Sequence, residues 1–201
     1  MLVAGLTGSI AMGKSTVGNI FASLGASVFD ADAAVREYYA GIGAKAVEEM
    51  FPGVLVEGRI DRDRLGRRVM GDAAALLRLE VLVHPEIANA RATFIQRAAA
   101  DGRWLTVIDI PLLLESNAET SVDIVVVVTT TETIQRTRAL ERARMTNAKL
   151  EAILARQMPD VEKRGKAHFL IDTSGSLAQT RAQVTQFVRA AGAMKGHLLY
   201  A

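Results

Sequence analysis

Five short apolar runs recur along the chain, separated by longer stretches with helical periodicity. The runs lie at residues 1–6, 27–29, 104–108, 124–128 and 168–171. None of them alternates apolar with polar residues, which is typical of strands in a parallel sheet that is covered on both faces. The pattern predicts an α/β fold with a parallel sheet flanked by helices. In such a sheet, ligands bind beyond the carboxyl ends of the strands.

Helical periodicity is clearest after the first run. Apolar residues there recur at the spacing of one helix face, at Val17, Ile20, Phe21 and Leu24. Gly25 follows at the place where a C-terminal cap is expected. A second helix is predicted near the C-terminus from Val184, Phe187, Val188 and Ala191.

Two stretches interrupt the alternation of strands and helices. Residues 36–102 are too many for a simple crossover, and helix starts are predicted there at Asp61, Asp72 and Pro85. We expect this stretch to form a helical substrate-binding insert. Residues 135–166 are rich in arginine, and we expect them to form a helical lid. The nucleotide-binding core is then predicted at residues 1–35, 103–134 and 167–201.

Composition narrows the classes of protein to consider. The 201 residues are 50% hydrophobic and carry 24 basic against 22 acidic side chains, a net charge of +2. This small net charge argues against nucleic-acid binding through a large phosphate footprint. The chain has no cysteine, which excludes disulfides and thiolate chemistry. The apolar N-terminus has no basic segment before it and is predicted to be a core strand instead of a signal peptide. No apolar run approaches the ~20 residues of a membrane span, so we expect a cytoplasmic protein without membrane contact.

The segment between the first strand and the first helix carries the most specific motif. Residues 8–15 fit the pattern G-x-x-x-x-G-K-[ST] of a phosphate-binding loop. A chance glycine turn before a lysine is the alternative, and the strand before and helix after the motif favour the loop. Its amides and the helix N-terminus would bind the phosphates of a nucleoside triphosphate. The predicted nucleotide-binding residues are Gly8, Ala11, Met12, Gly13, Lys14, Ser15 and Thr16, with Lys14 at the β- and γ-phosphates and Ser15 as the ligand of Mg²⁺.

The surroundings of the loop favour one class of nucleotide-binding protein. No Asn-Lys-x-Asp guanine-reading motif occurs, and the chain is short for a large ATPase engine. A phosphate loop with a helical insert and an arginine-rich insert is typical of small-molecule kinases with a closing lid. Within this class, a nucleoside monophosphate or sugar-acid kinase on the same fold is one alternative. A nucleotide-gated binding protein with little turnover is the alternative from another class.

Several charged residues have both a catalytic and a structural interpretation. Asp32, beyond the second strand, is either a general base or the N-cap of the next helix, whereas Asp30 is favoured as a cap or turn residue. Asp109 either holds a magnesium-bound water or ends its strand. Arg138 and Arg142 are four apart and are predicted to share a helix face, either as a phosphate clamp or as a solvated basic surface. Arg136, Arg144 and Arg156 are assigned to the surface.

Motifs along almost the whole chain resemble one kinase family. Besides the phosphate loop, they are Asp30-Ala31-Asp32, His84-Pro85-Glu86-Ile87, the segment 110–115, Gln135-x-x-Arg138-x-x-x-Arg142, Gln157-Met158-Pro159 and the segment 171–175. In this order they resemble dephospho-coenzyme A kinases. The resemblance implies ATP-dependent phosphorylation of the ribose 3′-hydroxyl of dephospho-coenzyme A, the last step of coenzyme A synthesis, with Mg²⁺ as cofactor.

The resemblance also assigns roles that the residues alone leave open. It implies that Lys14, Asp32, Arg138 and Arg142 are catalytic, with Asp32 as the base and in contact with the substrate. It places His84, at the predicted start of a helix, in the substrate pocket, although a lone histidine is usually a packed or capping residue. It makes Leu112 and Leu113 contacts of the substrate, whereas without it both leucines would be assigned to the core.

The chain departs from the family pattern at three positions. Ser9 and Ala11 stand where the family usually has glycine, and a side chain there would be strained if the backbone required a positive φ. Leu114 replaces an aromatic residue before Glu115, which changes a packing contact.

Overall fold

The computed structural model describes residues 1–143, 145–194 and 196. The chain divides into two compact units, residues 1–29 with 97–201 and residues 30–96. In the described part of the chain, no helix has both the length and the apolar character needed to cross a membrane.

The described residues form seven strands and nine α-helices. The strands are β1 (Leu2–Thr7), β2 (Ser27–Asp30), β3 (Leu55–Val56), β4 (Arg59–Ile60), β5 (Leu105–Asp109), β6 (Ile124–Thr129) and β7 (Phe169–Asp172). The helices are α1 (Lys14–Ser23), α2 (Ala31–Ala40), α3 (Ala44–Met50), α4 (Arg62–Val69), α5 (Ala73–Ala100), α6 (Glu132–Leu140), α7 (Asn147–Leu154), α8 (Asp160–Gly165) and α9 (Leu177–Ala191). A short 3₁₀ helix spans Ala118–Ser121.

Five strands form a parallel sheet in the order β2-β5-β1-β6-β7. The central strand β1 pairs with β5 on one side and β6 on the other, and every residue of β1 is buried. Each strand predicted from an apolar run is present within one residue of its predicted position. The predicted α/β fold with a parallel, helix-flanked sheet is therefore confirmed.

The core of the first unit lies between the sheet and helices α1 and α9. The Phe21 ring of α1 meets the Phe187 ring of α9 edge-on, with centroids 5.5 Å apart. Both side chains are buried, as the helical periodicity predicts. Gly25 lies just beyond α1 with a φ of 89°, so the predicted C-terminal cap is confirmed.

The second unit has its own apolar core, formed by helices and the β3–β4 hairpin. Val47 and Val54 at its centre are fully buried. The hairpin was not predicted, because strands of two residues leave no periodic signal. The carboxylate of Glu48 accepts the N–H groups of Gly53, Val54 and Leu55 at 2.7, 2.9 and 2.7 Å. These bonds lower the pKa of Glu48 from its ordinary value of 4.5.

Two of the three predicted helix starts in this unit are confirmed, and one is wrong. Asp61 caps α4 and Asp72 caps α5 through their side chains. Pro85 lies inside the 28-residue helix α5 and begins no helix. The N–H that proline lacks would have bonded to the carbonyl of Val81. Val81 is 68% exposed, so the missing bond lies on the surface side of the helix, and the helix continues through Pro85.

The division of the chain into compact units differs in position from the predicted inserts. The second unit begins at Asp30 and ends at Gln96, whereas the insert was predicted at 36–102. Residues 135–166 lie in the first unit and contain α7, α8 and most of α6. Their movement as a lid stays a prediction.

Candidate active site

The phosphate loop joins β1 to α1 at the carboxyl edge of the sheet, and two of its glycines are required by close approach. A side chain at Gly8 would place its Cβ 2.6 Å from the carbonyl oxygen of Val128 on β6. Gly13 has a φ of 91°, and a Cβ there would lie 3.0 Å from the hydroxyl of Thr173. The glycine spacing of the motif therefore follows from the neighbours of the loop.

The two departures in the loop have different consequences. Ala11 has a φ of 61°, a left-handed conformation that costs a non-glycine residue about 1–3 kcal/mol. Its methyl group is buried and belongs to a cluster with Ala139 of α6 and Leu150 of α7. Ser9 is buried and is not among the residues with a positive φ. Strain in the loop therefore falls on Ala11, where packing against two helices compensates for it.

Lys14 begins α1 and forms an ion pair with Asp109, the last residue of β5. Both side chains are largely buried at the carboxyl edge of the sheet, with 15% and 9% exposure. Asp109 therefore both ends its strand and contacts Lys14 of the loop. Ser15 and Thr16 lie in the first turn of α1 and are exposed, which leaves their hydroxyls open to a ligand.

Arg138 connects α6 to the phosphate loop through Thr173. Its guanidinium donates to the hydroxyl of Thr173 at 2.9 Å and to the carbonyl oxygen of Thr173 at 2.8 Å. The same hydroxyl donates to the carbonyl oxygen of Met12 at 2.8 Å. The charge of Arg138 is thus held beside the loop, consistent with the predicted phosphate clamp.

The predicted helix face shared by Arg138 and Arg142 is wrong. Helix α6 ends at Leu140, and the N–H of Arg142 bonds to the carbonyl of Ala139 at 3.2 Å, three residues back instead of four. Arg142 therefore lies in the turn after the helix, where it is exposed.

The arginines assigned to the surface are found there where the structure describes them. Arg136 pairs with Glu151 at 2.6 Å and with Glu132 at 3.0 Å. The hydrogen bond that Arg136 donates to Glu151 is the main reason that the pKa of Arg136 is raised. Arg156 is exposed. Arg144 lies outside the described residues.

Asp30 and Asp32 have separate roles at the start of α2. Asp30 is the N-cap, and its carboxylate accepts the N–H of Ala33 at 2.8 Å. Asp32 lies inside the first turn of the helix and is exposed. The capping interpretation of Asp32 is therefore wrong, and that of Asp30 is confirmed. The catalytic role of Asp32 stays a prediction.

The remaining predicted substrate contacts differ in exposure. His84 is exposed but lies in the middle of α5, because the predicted helix start at Pro85 does not exist. Leu112 is 44% exposed, whereas Leu113 is fully buried and fills the space that a side chain at Gly5 would need. The substrate contact predicted for Leu113 is therefore corrected to a core position. Leu114 is also buried.

Sequence reasoning missed a set of polar residues that hold the loop. Gln135 and Gln157 hydrogen-bond to Ile10 of the phosphate loop, and a buried pair, Glu115 and Lys163, lies beside Gln157. Glu115, Gln135 and Gln157 occur in the motifs that resemble the kinase family, and these motifs were the signal available in the sequence. Their contacts with one another require the tertiary structure.

Comparison with known proteins identifies the family. A family model described as dephospho-CoA kinase matches residues 2–179. A dephospho-CoA kinase of Nitrobacter winogradskyi is 51% identical over 194 residues, covering 96% of this chain and 98% of that protein.

Two solved structures share the fold of this chain. The crystal structure of TT1252 from Thermus thermophilus matches with a TM-score of 0.82 and 32% sequence identity. The match covers 94% of this chain and 96% of the TT1252 chain. The dephospho-CoA kinase from Campylobacter jejuni has a TM-score of 0.66 and 26% identity with the same coverage. With the phosphate loop, the parallel sheet and these matches together, the chain belongs to the dephospho-CoA kinase family.

Proposed function

We propose that this protein transfers the γ-phosphoryl group of ATP to the ribose 3′-hydroxyl of dephospho-coenzyme A, giving ADP and coenzyme A. One observation in the structure supports the proposal above the others. The phosphate loop carries Lys14 at its end, and Arg138 is fastened beside the same loop through Thr173. Two cations at a phosphate-binding loop are suited to stabilising charge on a transferring phosphoryl group.

The reaction forms one bond and breaks another. The 3′-oxygen of the ribose attacks the γ-phosphorus, and the bond from that phosphorus to the bridging oxygen of ADP breaks. The proton of the 3′-hydroxyl moves to the carboxylate of Asp32, the proposed general base. Asp32 suits this role because it is exposed and Asp30 already caps the helix.

The cations act on the charge that develops on the phosphates. Lys14, oriented by its ion pair with Asp109, would stabilise the negative charge that develops on the bridging oxygen in the transition state. Arg138, half-buried and hydrogen-bonded to Thr173, loses little freedom when it meets a phosphate. Arg142 is exposed in the turn after α6, and we propose that it supplies a further cation.

The residues present fit a magnesium ion bound with the nucleotide. Magnesium in such sites takes few protein ligands and keeps phosphate oxygens and water. The exposed hydroxyl of Ser15 in the first turn of α1 would be its protein ligand, and Asp109 a partner of its water. When bound, the ion neutralises phosphate charge. Among the described residues, no group of three or more acidic or histidine side chains could hold a metal ion.

A substrate panel tests the proposal. Purified protein with Mg²⁺-ATP is given dephospho-coenzyme A, AMP, shikimate or gluconate, and ADP release is measured. We expect turnover with dephospho-coenzyme A alone, and ³¹P NMR of the product should place the new phosphate on the 3′-oxygen. Turnover of another acceptor would favour a different small-molecule kinase, and ATP binding without turnover would favour a nucleotide-gated binding protein. The cytoplasmic location belongs to the same proposal.

Lys14→Ala is the control for contaminating kinases. The variant keeps the glycines that shape the loop but removes the ammonium group at the phosphates. We expect kcat to fall by at least about a hundredfold, which is roughly 3 kcal/mol of barrier. Activity within about threefold of wild type would contradict the role of Lys14.

A further inference from the structure

The phosphate loop is held at Ile10 on both of its main-chain polar groups. The N–H of Ile10 donates to Oε1 of Gln157 at 3.0 Å. Its carbonyl oxygen accepts from Nε2 of Gln135 at 2.9 Å. Gln135 is on α6 and is only 5% exposed, while Gln157 follows α7. These two bonds fix the orientation of the backbone in the first half of the loop.

A further hydrogen bond fixes the main chain at Met158, the residue after Gln157. The N–H of Met158 donates to Oε1 of Glu115 at 2.9 Å. Glu115 lies in the segment after β5, which is itself held to the sheet because the hydroxyl of Thr7 donates to the carbonyl oxygen of Pro111 at 3.0 Å. Since Gln157 and Met158 are adjacent, the bond to Glu115 fixes the backbone from which Gln157 reaches the loop.

The orientation of Glu115 is set in turn by Lys163 on α8. Nζ of Lys163 lies 2.8 Å from Oε1 of Glu115, and the side chains are 0% and 15% exposed. A buried ion pair contributes little net stability compared with apolar residues of the same volume. Each charge compensates the other in the interior, although Nζ of Lys163 and Oε2 of Glu115 have no hydrogen-bond partner among the described residues. The contact therefore acts through charge, which draws Oε1 of Glu115 toward Lys163.

We propose that Glu115 and Lys163 are positioning residues for nucleotide binding. Their ion pair holds Met158, and thereby keeps the Gln157 side chain on Ile10, so that the phosphate loop keeps the shape that receives the triphosphate. None of these side chains needs to touch the nucleotide. The inference rests on the nucleotide-binding role of the loop in the proposed function.

The first test removes the contact at the loop. Gln157→Ala deletes the acceptor of the Ile10 N–H, and we expect the Kd for Mg²⁺-ATP, measured by calorimetric titration without acceptor, to rise about tenfold, as loss of one hydrogen bond implies. The melting temperature should stay within a few degrees of wild type. Unchanged ATP affinity in this variant would overturn the proposal. Failure of wild type to bind ATP would instead overturn the proposed function.

The second test replaces the ion pair with apolar residues of similar volume, because a single substitution leaves an uncompensated buried charge, which is strongly destabilising. Glu115→Leu with Lys163→Met removes both charges and the acceptor of the Met158 N–H. We expect a folded protein that binds Mg²⁺-ATP about tenfold more weakly. Adding Gln157→Ala should weaken binding no further than about twofold, because all three side chains act on one contact. Wild-type affinity, or fully additive losses, would overturn the proposal.

A matched pair keeps the hydrogen-bond acceptor while removing the charges. Glu115→Gln with Lys163→Met retains an oxygen that can accept the Met158 N–H but lacks the cation that orients it, so we expect its Kd for Mg²⁺-ATP to rise about tenfold, as in the leucine variant. Binding with wild-type affinity would overturn the positioning role of Lys163. Lys166→Met serves as the control, because Lys166 lies in a surface pair with Glu119 at 3.9 Å and should leave affinity unchanged.

Discussion

Arg138 donates hydrogen bonds to both the hydroxyl and the carbonyl oxygen of Thr173. The two residues are 35 positions apart in the chain, on α6 and just after β7. Because the Thr173 hydroxyl also donates to Met12, the arginine is fixed relative to the phosphate loop before any ligand arrives. A preorganised cation costs little reorganisation when charge develops nearby.

Because Arg138 is hydrogen-bonded to Thr173 and Arg142 is exposed, substitutions of the two arginines should have different effects. Arg138→Ala should lower kcat at least about tenfold and lower the free energy of unfolding by about 2 kcal/mol, because a charged hydrogen-bond donor is lost. Arg142→Ala should lower kcat while stability stays within about 0.5 kcal/mol, because Arg142 is exposed. Steady-state kinetics and urea unfolding measure the two effects. Normal turnover in either variant would show that the substituted arginine takes no part in the reaction and belongs to a solvated basic surface.

Ala11 combines backbone strain with buried packing, and the two effects are of similar size. Ala11→Gly relieves roughly 1–2 kcal/mol of left-handed strain, but it loses a buried methyl group worth about 0.8 kcal/mol and adds about 0.4–1 kcal/mol of unfolded-state entropy. We therefore expect the free energy of unfolding to change by less than about 1 kcal/mol. A loss of more than about 2 kcal/mol in urea unfolding would show that packing against Ala139 and Leu150 dominates.

Ala11→Val should increase both the backbone strain and the crowding at this position, and urea unfolding measures the loss of stability. A β-branched residue is a genuine outlier at positive φ, and the added methyl groups meet the helices that already cover Ala11. We expect a loss of at least about 2 kcal/mol. Stability equal to wild type would mean that the loop adopts another backbone conformation in solution.

Gly8 and Gly66 form a contrast between a crowded and an open glycine. Gly8→Ala would bring a Cβ within 2.6 Å of the Val128 carbonyl oxygen, so we expect overpacking to cost about 1–3 kcal/mol, with ATP binding impaired. Gly66→Ala lies within α4, where the new Cβ meets no heavy atom within 4 Å apart from its chain neighbours and the backbone of its own helix, and it should stabilise the protein by about 0.5–1 kcal/mol. Thermal unfolding of both variants checks the difference in sign.

Asp32→Asn tests the general base without disturbing the helix cap. The capping carboxylate belongs to Asp30, so the variant should fold with unchanged stability and bind both substrates. We expect kcat to fall by about 10²–10⁴-fold, the usual contribution of a general base. Single-turnover kinetics with calorimetric titration separates chemistry from binding.

Asp30→Ala is the matched variant for this pair. It should lose about 1 kcal/mol of stability through the missing cap while retaining chemistry in the folded fraction. If Asp32→Asn kept its chemistry, the base would lie elsewhere, and Asp109→Asn would be the next variant to measure.

Glu48 gives the protein a pH dependence of known sign. Three backbone N–H groups lower the pKa of this carboxyl below its ordinary value of 4.5, with those of Gly53 and Leu55 contributing most. A lowered pKa in the folded state adds stability that is present above the ordinary value and is lost as the pH falls through the lowered one. Glu48→Gln should therefore be less stable than wild type at neutral pH, and the difference should shrink below about pH 4.5. Urea midpoints at several pH values measure it, and a difference that grows on acidification would contradict the assignment.

Features with a local signal were predicted from the sequence. The five strands of the main sheet lie within one residue of the apolar runs, because apolar runs of this length with flanking turn residues are too short for buried helices. The phosphate loop was predicted from its glycines and Lys14, because these spacings meet local backbone requirements. Pro85 shows the limit of such signals, since a long amphipathic helix packed on a core tolerates one missing hydrogen bond.

Only the tertiary structure decided which distant residues meet. The partner of Met12 is Thr173, 161 positions away, and that of Ile10 is Gln157, 147 positions away. Burial of Leu113 and exposure of Leu112 were likewise not readable from a run of three leucines. A sequence pattern determines period and local turn geometry, because these depend on neighbours in the chain. The partner of a side chain depends on how the elements pack, and many packings satisfy the same pattern.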